Sequence, residues 1–278
     1  MKNRRDFLKV AGGATLLSVL GTGMTKAKKV KNVGVNLFSL REPMGLDPVG
    51  TLTELAKIGY KIIESAPSAK GNYYGLKPKE IKQVMQDLGL ILASGHAIIN
   101  ADWQKSIDEA AEAGQEFLLA PMLPTKGQTV DNYKKAAETF NKMGEACKKS
   151  GVTFGFHNGI AEFEKENGQV LYDVLLDNTD AALVKMELDL GWAMVAGANP
   201  AYYFEKYTGR FPLWHIKDIK KDKDESIEFG KGKIDFVAML KKQSKSAMKY
   251  MFVEQEHLTQ PAIDTMSVNF NYLQKLRY

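Results

Sequence analysis

The sequence predicts a (β/α)₈ barrel of about 250 residues, and three observations lead to this fold. First, strand-like apolar runs alternate with helix-like amphipathic runs eight times between residues 33 and 275. Second, the Gly-rich nucleotide-binding turn that is typical of the competing doubly wound open sheet has no counterpart in the sequence. Third, all four histidines fall at or just past the ends of predicted strands. Strand–helix alternation over this length is typical of a closed barrel of parallel strands.

Apolar, β-branched and aromatic residues mark the predicted strands, and Gly or Pro ends many of the segments. Gly59, Gly89, Gly114 and Gly151 each stop a helix just before the next strand, and Pro121 stops the fourth strand. The strands are predicted at residues 33–38, 61–64, 90–94, 116–120, 152–156, 181–189, 211–215 and 250–253. The helices are predicted at residues 48–58, 78–88, 102–113, 130–149, 170–176, 200–207, 234–242 and 263–275. We expect residues 28–278 to form a single domain.

Residues 186–218 are the unit around which a site can be built. Asp189 ends one apolar run, His215 ends the next, and residues 200–207 between them are predicted to be helical. A strand–helix–strand unit makes the two strands parallel, because a parallel return needs a long crossover. A carboxylate and an imidazole therefore emerge at the same edge of one sheet.

Residues 1–27 are expected to be an export signal rather than part of the fold. Arg4 and Arg5 precede an apolar stretch at residues 10–24, and Thr25-Lys26-Ala27 weakly matches a small-residue cleavage site. This layout resembles signals of the twin-arginine type. The alternative is a membrane anchor, but the apolar stretch is short for a span, which needs about 20 residues. We therefore expect a periplasmic or otherwise exported protein with no stable membrane span after signal cleavage.

The charge balance argues against a nucleic-acid partner. The whole chain has a formal net charge of +5, and residues 1–27 carry five basic side chains and one acidic side chain. The remainder is therefore near +1, which removes the electrostatic support for binding DNA or RNA. The single cysteine, Cys147, can form no intramolecular disulfide.

Polar side chains collect at the predicted strand ends, where barrel enzymes carry their active sites. The histidines are His96, His157, His215 and His257, after strands 3, 5, 7 and 8. The acidic residues are Glu64, Asp189 and Glu254, after strands 2, 6 and 8. Any one of these histidines can equally be a structural hydrogen-bonding group, but the convergence of all four on one rim favours a functional site.

This set of side chains fits a divalent metal such as Mn²⁺, Zn²⁺, Co²⁺ or Fe²⁺, which accept imidazole and carboxylate ligands together. A metal at the barrel mouth can polarise a carbonyl, and a nearby carboxylate or imidazole can then remove the adjacent C–H proton. Lys217 can stabilise the resulting enolate, or it can form a plain ion pair with Asp218. Four aromatic residues can stack on a sugar or serve packing alone: Trp192, Trp214, Tyr73 and Tyr74.

From residue 31 to residue 278 the sequence resembles the xylose-isomerase-like barrels of the sugar phosphate isomerase/epimerase family, in particular an exported branch. The motifs that carry the resemblance are Gly59-Tyr60-Lys61-Ile62-Ile63-Glu64, Ser94-Gly95-His96, Gly155-Phe156-His157-Asn158, Glu187-Leu188-Asp189-Leu190-Gly191-Trp192, Trp214-His215-Ile216-Lys217-Asp218, Gly230-Lys231-Gly232-Lys233-Ile234-Asp235-Phe236 and Phe252-Val253-Glu254-Gln255-Glu256.

The resemblance implies one divalent metal held by one side chain from each of strands 5 to 8. The implied ligands are His157, Asp189, His215 and Glu254, with Glu162 as a substitute for His157. The implied catalytic residues are Glu254, His157, Lys217 and His96, and the implied substrate-binding residues are Glu64, His96, Trp192, Lys217 and Glu256. Two departures stand out: the strand 5 ligand of the epimerases is usually Glu, and a related branch has His-Asn-His where this chain has His157-Asn158-Gly159. The two-glutamate proton relay of the epimerases is therefore incomplete here.

The expected function is a metal-dependent isomerase or epimerase that abstracts a proton next to the carbonyl of a sugar or keto-sugar. The first alternative is an exported 3-keto-glycoside lyase or hydrolase, in which proton abstraction at C2 is followed by loss of the aglycone. The second is a noncatalytic sugar-binding barrel. A three-metal abasic-site nuclease needs more ligands and a basic surface, which the near-neutral charge does not supply. The expected partner is a small-molecule carbohydrate, and the sequence leaves a homo-oligomer open.

Overall fold

The computed structural model describes residues 27–31 and 33–278, so the predicted export signal, apart from Ala27, lies outside the described residues. Eight parallel strands close into a barrel, in the spatial order β1-β8-β7-β6-β5-β4-β3-β2. The strands are β1 Val33–Asn36, β2 Ile62–Ser65, β3 Ile91–His96, β4 Phe117–Ala120, β5 Thr153–His157, β6 Val184–Asp189, β7 Leu213–Ile216 and β8 Tyr250–Val253. The predicted fold class is confirmed.

Helices surround the barrel and follow the strands in sequence. They are α1 Arg41–Leu46, α2 Pro48–Ile58, α3 Pro78–Asp87, α4 Trp103–Ala113, α5 Val130–Lys149, α6 Leu171–Asn178, α7 Leu190–Val195, α8 Pro200–Lys206, α9 Phe236–Lys241, α10 Gln243–Ser246 and α11 Ala262–Lys275. Short 3₁₀ helices cover Leu37–Leu40 and Ala161–Phe163. Two small antiparallel hairpins pair Lys165–Glu166 with Gln169–Val170 and Asp218–Ile219 with Ser226–Ile227. Within the described part of the chain, none of these helices combines the length and apolar character needed to cross a membrane.

Local sequence signals account for the ends of α2. The side chain of Asp47 caps its first turn by accepting a hydrogen bond from Gly50 N at 2.9 Å, and Pro48 fits the first helical position, where no backbone donor is needed. Gly59 ends the helix with φ = +119°, a conformation that L-residues with a Cβ rarely adopt.

Two of the differences between the predicted elements and the structure lie next to the site. The first strand was expected to reach residue 38 but ends at Asn36, because the Asn36 side chain accepts a hydrogen bond from Phe38 N and turns the chain into a 3₁₀ helix. An additional helix, α7, begins directly after Asp189, because the Asp189 side chain accepts from Trp192 N at 2.8 Å and caps it.

The barrel interior changes from apolar to polar along the strands. Its N-terminal half is filled by Ile62, Ala93, Phe117, Leu119, Leu213 and Phe252, all buried. Because side chains two residues apart on a strand share a face, the next inward positions after Ile62, Leu213 and Phe252 are Glu64, His215 and Glu254. A larger apolar layer between strands and helices encloses the barrel. The fold therefore carries its polar side chains on an apolar floor at the C-terminal mouth.

Candidate metal and active site

Three of the four histidines meet at this mouth, as the strand-end positions predicted. The ring centroids of His96 and His157 lie 5.2 Å apart, those of His96 and His215 5.4 Å, and those of His157 and His215 4.4 Å. His257 is exposed; its backbone oxygen accepts a hydrogen bond from the Gln255 side chain, and its backbone N–H donates to Ser226 Oγ. Glu64, Asp189 and Glu254 are buried beside the three imidazoles.

The polar side chains form two layers. We call the deeper set the inner layer: Asn36, Glu64, His96, Glu187 and His215. We call the set nearer the mouth the outer layer: His157, Asp189, Lys217, Glu254 and Glu256. Glu187 precedes Asp189 by two residues on β6, and His215 precedes Lys217 by two, so each pair points into the barrel at successive levels.

His215 connects the layers through its two ring nitrogens. Its Nδ1 faces the outer layer, 3.1 Å from Glu254 Oε2 and 3.9 Å from Asp189 Oδ2. Its Nε2 faces the inner layer, 2.5 Å from Glu64 Oε1 and 3.1 Å from Glu187 Oε2. Burial lowers the pKa of His215, but the surrounding carboxylates outweigh it and hold that pKa well above its ordinary value.

The ligands implied by the family pattern converge in the outer layer. His157, Asp189, His215 and Glu254 place one ligand atom each within 4.8 Å of one another. Two of their buried atoms, His157 Nε2 and Asp189 Oδ2, make no hydrogen bond of good geometry, although they lie 3.4 Å apart and Lys217 Nζ lies 2.9 Å from Asp189 Oδ2. Buried polar atoms normally have partners, so this mixed nitrogen and oxygen set fits a divalent cation.

Glu162, the substitute ligand, is engaged elsewhere. Its Oε2 accepts a hydrogen bond from Gly159 N at 2.7 Å, and the four-residue ligand group forms with His157 instead. Burial raises the pKa of the Glu162 carboxyl. Between the two alternatives, the geometry favours His157.

Lys217 is the cation of the outer layer. Its side chain is buried, and its Nζ lies 2.9 Å from Asp189 Oδ2, 2.7 Å from Glu254 Oε2 and 2.6 Å from Glu256 Oε1. Burial lowers the pKa of Lys217, and the three carboxylates outweigh burial and raise it. The lysine stem packs on Gly191, where an added Cβ would lie 2.3 Å from Lys217 Cγ. A plain surface ion pair between Lys217 and Asp218 is therefore not what the structure shows.

The two carboxylates at the end of β8 have different environments. Burial would raise the pKa of Glu254, but Lys217 and His215 outweigh it and lower that pKa well below its ordinary value. Burial raises the pKa of Glu256, with Lys217 opposing it. Glu256 Oε1 accepts from Trp192 Nε1 at 3.2 Å as well as from Lys217, whereas its Oε2 is buried without a hydrogen-bond partner.

The four aromatic residues for which the sequence left sugar stacking or packing open fall into two groups. The half-buried Trp192 ring lies against Lys217, with Nζ 4.5 Å from the ring centroid, so this residue belongs to the site. Trp214 stacks on Phe204 with ring centroids 4.7 Å apart and is fully buried. Tyr73 and Tyr74 are buried and donate to Gln115 Oε1 and Leu37 O. These three side chains serve packing rather than sugar stacking.

Sequence reasoning did not assign Glu187 and Asn36 to the site. Glu187 Oε2 lies 2.9 Å from His96 Nε2, and Asn36 Nδ2 donates to Glu64 Oε1 at 2.7 Å. The period of two along a strand was the available signal, since Glu187 shares the inward face of β6 with Asp189.

Fold and site together define a (β/α)₈ barrel with a metal-competent polar mouth. The chain belongs to the xylose isomerase-like TIM barrel family, whose profile matches residues 52–275. The resemblance inferred from the motifs is thereby confirmed.

Two of the similar proteins are named as enzymes, a dehydratase and an isomerase/epimerase. An inosose dehydratase of Clostridium perfringens is 29% identical over 215 residues, which cover 69% of this chain and 69% of the relative. The crystal structure of a sugar phosphate isomerase/epimerase from Parabacteroides distasonis is similar with a TM-score of 0.79 and 28% identity, covering 90% of this chain and 96% of that one. The IOLI protein, solved with a bound zinc atom, shares the fold with a TM-score of 0.67 and 16% identity, covering 87% of this chain and 98% of that one.

Proposed function

We propose that the protein is a lyase that removes a proton next to the carbonyl of a keto-sugar or ketocyclitol and expels the substituent on the following carbon. The observation that carries the proposal is Glu256: its Oε2 is buried without a hydrogen-bond partner, and the residue lines a cavity of about 590 Å³ between residues 39–46 and 256–263. Lys217 and Trp192 hold the other oxygen of the same carboxylate, so Oε2 is oriented. A positioned carboxylate beside a cavity, with one oxygen that has no hydrogen-bond partner, is suited to accept a proton from carbon.

Elimination needs one proton-transfer group, whereas epimerisation needs two. In a same-face elimination, Glu256 takes the proton from the carbon beside the carbonyl, the C–H electrons form the enolate, and the bond to the leaving oxygen then breaks. The proton held by Glu256 returns to that oxygen, which leaves as water or as an alcohol. Epimerisation requires a second proton-transfer group on the opposite face, and the strand 5 position that would supply a carboxylate is His157.

The other predicted catalytic residues take supporting roles in this proposal. Lys217 places an ammonium group beside Glu256 and can stabilise negative charge that develops on the substrate oxygen. Glu254, His157, Asp189 and His215 would hold the divalent metal, which supplies Lewis acidity toward a carbonyl when bound. His96 is occupied by Glu187 in the inner layer. The proton-transfer role therefore falls to Glu256, which the sequence suggested only as a substrate contact.

The cavity favours a neutral, unphosphorylated substrate. Its polar lining includes Ser39, Arg41, Glu42, Glu256 and Gln260, in which Arg41 is the single cation beside two carboxylates. Such a lining offers donors and acceptors for hydroxyl groups but repels a phosphate. The similarity to an inosose dehydratase supports a neutral polyhydroxylated ketone and the loss of water. A 3-keto-glycoside that loses its aglycone is the same chemistry with another leaving group, and the export signal predicted at residues 1–27 favours it.

A second candidate function is aldose–ketose isomerisation. One carboxylate can also move a proton between neighbouring carbons on the same face, and the similar barrel from Parabacteroides distasonis is a sugar phosphate isomerase/epimerase. The two functions differ in the fate of the carbon skeleton, since isomerisation retains every substituent.

The test is NMR in D₂O with the metal-loaded protein and a panel of ketoses, aldoses, inososes and 3-keto-glucosides. We expect loss of water or aglycone, and we expect Glu256→Gln to slow it by at least about 100-fold, the usual size of a general acid–base contribution. Glu205→Gln, the same change at an exposed position, is the matched control. Deuterium incorporation with the sugar retained would point to isomerisation instead. An absence of both exchange and elimination across the panel would favour a sugar-binding barrel.

A further inference from the structure

The inner layer contains a second set of metal-ligating side chains that the family pattern does not include. Glu64 comes from β2, His96 from β3, Glu187 from β6 and His215 from β7, so the four side chains meet across the barrel. Glu64, Glu187 and His215 are fully buried, and His96 is 6% exposed. Asp189, Glu254 and His157 of the outer layer take no part in this set.

The four inner atoms have the spacing of a four-coordinate site. Glu187 Oε2 lies 2.9 Å from His96 Nε2 and 3.1 Å from His215 Nε2. Glu64 Oε1 lies 3.6 Å from His96 Nε2 and 2.5 Å from His215 Nε2. A tetrahedral Zn²⁺ with bonds of about 2.0–2.1 Å keeps its ligand atoms about 3.3 Å apart. These four values lie on both sides of that separation, and the other two pairs of ligand atoms lie within 4.8 Å of each other.

The remaining oxygens of the same carboxylates have no hydrogen-bond partner. Glu64 Oε2 and Glu187 Oε1 are both buried and have no hydrogen-bond partner. Two buried carboxylates carry two negative charges, which a divalent cation balances when both imidazoles are neutral. In the outer layer Lys217 already contacts the oxygens of Asp189 and Glu254, whereas its ion pairs do not extend to Glu64 or Glu187.

We propose that Glu64, His96, Glu187 and His215 form a second, closed site for a Zn²⁺-like cation beneath the outer layer. A structural zinc site is closed by four protein ligands, whereas a catalytic one keeps a position open. With His215 Nε2 in the inner site, its Nδ1 donates to Glu254 Oε2, 3.1 Å away. His157, Asp189 and Glu254 then remain as a three-ligand outer site with an open position, in which His215 takes part through its hydrogen bond to Glu254 rather than as the direct ligand assigned to it above. The inner cation would hold four strands together and fix the ring of His215.

Metal stoichiometry of the purified chain tests the proposal independently of any reaction. Metal-free protein is equilibrated with Zn²⁺, the bound ions are counted by mass spectrometry of the metal, and the affinity is measured against a chromophoric chelator. Glu187→Gln and His96→Gln remove ligands of the inner site alone, and His157→Gln removes a ligand of the outer site alone. Glu205→Gln is the exposed control.

We expect Glu187→Gln to bind one ion fewer per chain, or to bind that ion much more weakly. The loss of affinity should exceed the roughly 10–100-fold that follows removal of a residue that only hydrogen-bonds to a metal ligand. His157→Gln should keep that ion, and with Co²⁺ it should keep the strong visible absorption of a tetrahedral site. His96→Gln serves if Glu187→Gln does not fold by circular dichroism. Unchanged stoichiometry and affinity in both inner variants would overturn the proposal, as would an absence of bound ions in the wild type. Loss of an ion in His157→Gln alone would overturn the inner site and leave the outer one standing.

Discussion

Replacing Lys217 by Met tests how the outer layer balances its charge. The substitution keeps an unbranched side chain of similar length against Gly191 but removes the ammonium group from three carboxylates at 2.6–2.9 Å. Removing one partner of a buried ion pair costs about 3–5 kcal/mol, because the other charge is left without compensation. For a domain of this size each kcal/mol shifts the melting temperature by roughly 2–4 °C. We therefore expect Lys217→Met to melt about 6–20 °C below the wild type when both are free of metal.

The assay is thermal unfolding by circular dichroism in chelator, repeated after addition of Zn²⁺. A divalent cation can replace the missing charge, so Zn²⁺ should stabilise Lys217→Met more than it stabilises the wild type. Lys242→Met is the control, because Lys242 pairs with Glu205 at 2.8 Å on an exposed surface and exposed pairs contribute little. If Lys217→Met melts together with this control and gains nothing extra from Zn²⁺, the charge argument fails.

Three further predictions concern stability, reactivity and packing. Burial lowers the pKa of His96 and His215, but the neighbouring carboxylates have the larger effect and the net result is a raised pKa for both. These two histidines therefore contribute their full stabilisation below about pH 6.5, and the stabilisation is lost as the pH rises through the raised pKa values. The pKa values of Glu187 and Glu254 are lowered, so their contribution is present above about pH 4.3 and is lost as pH falls. The metal-free protein should therefore melt highest between these limits, and a melting temperature that climbs from pH 7 to pH 9 would contradict this. Burial raises the pKa of Cys147 to about 12, so a disulfide reagent at pH 8 should label it only after denaturation, and rapid labelling of the native protein would refute its burial. Gly191→Ala should displace Lys217 and lower both turnover and melting temperature. Gly45→Ala is the control and should change neither measurably, because an added Cβ there has no atom within 4 Å. Equal behaviour of the two variants would show that Lys217 can move freely.

The sequence was sufficient for the fold because its signals repeat. Eight apolar runs with glycine or proline stops give the count and order of the strands, and strand order in a closed parallel barrel follows from that count. Local hydrogen bonds were harder to anticipate. Asn36 and Asp189 each read as the polar end of a strand, but their side chains accept from the backbone two or three residues later and start a new helical turn.

The sequence predicted which strand ends carry the site residues, but it predicted the contacts between those residues less well. Positions along β5 to β7 identified His157, Asp189 and His215, because the ends of parallel strands share one rim. The depth of each side chain depends on register, which is set by pairings such as Asp189 with His215 and His157 with Glu187. No single sequence reveals that register. For this reason Glu187 was read as part of a motif rather than as a group facing His96 and His215.

His157 stands at the strand 5 position where the epimerases usually have Glu. With His157 and Gly159 in the motif, strand 5 carries no glutamate at that position. Two other glutamates lie near this position: Glu187 lies in the inner layer, and Glu256 lies in the outer layer and lines the cavity, with a buried Oε2 that has no hydrogen-bond partner. In the function that we propose, the Glu256 carboxylate removes a proton and returns it on the same face, beside the Lys217 ammonium group and the metal ligands. That proposal predicts elimination or isomerisation, and the leaving group on the substrate would then determine which of the two occurs.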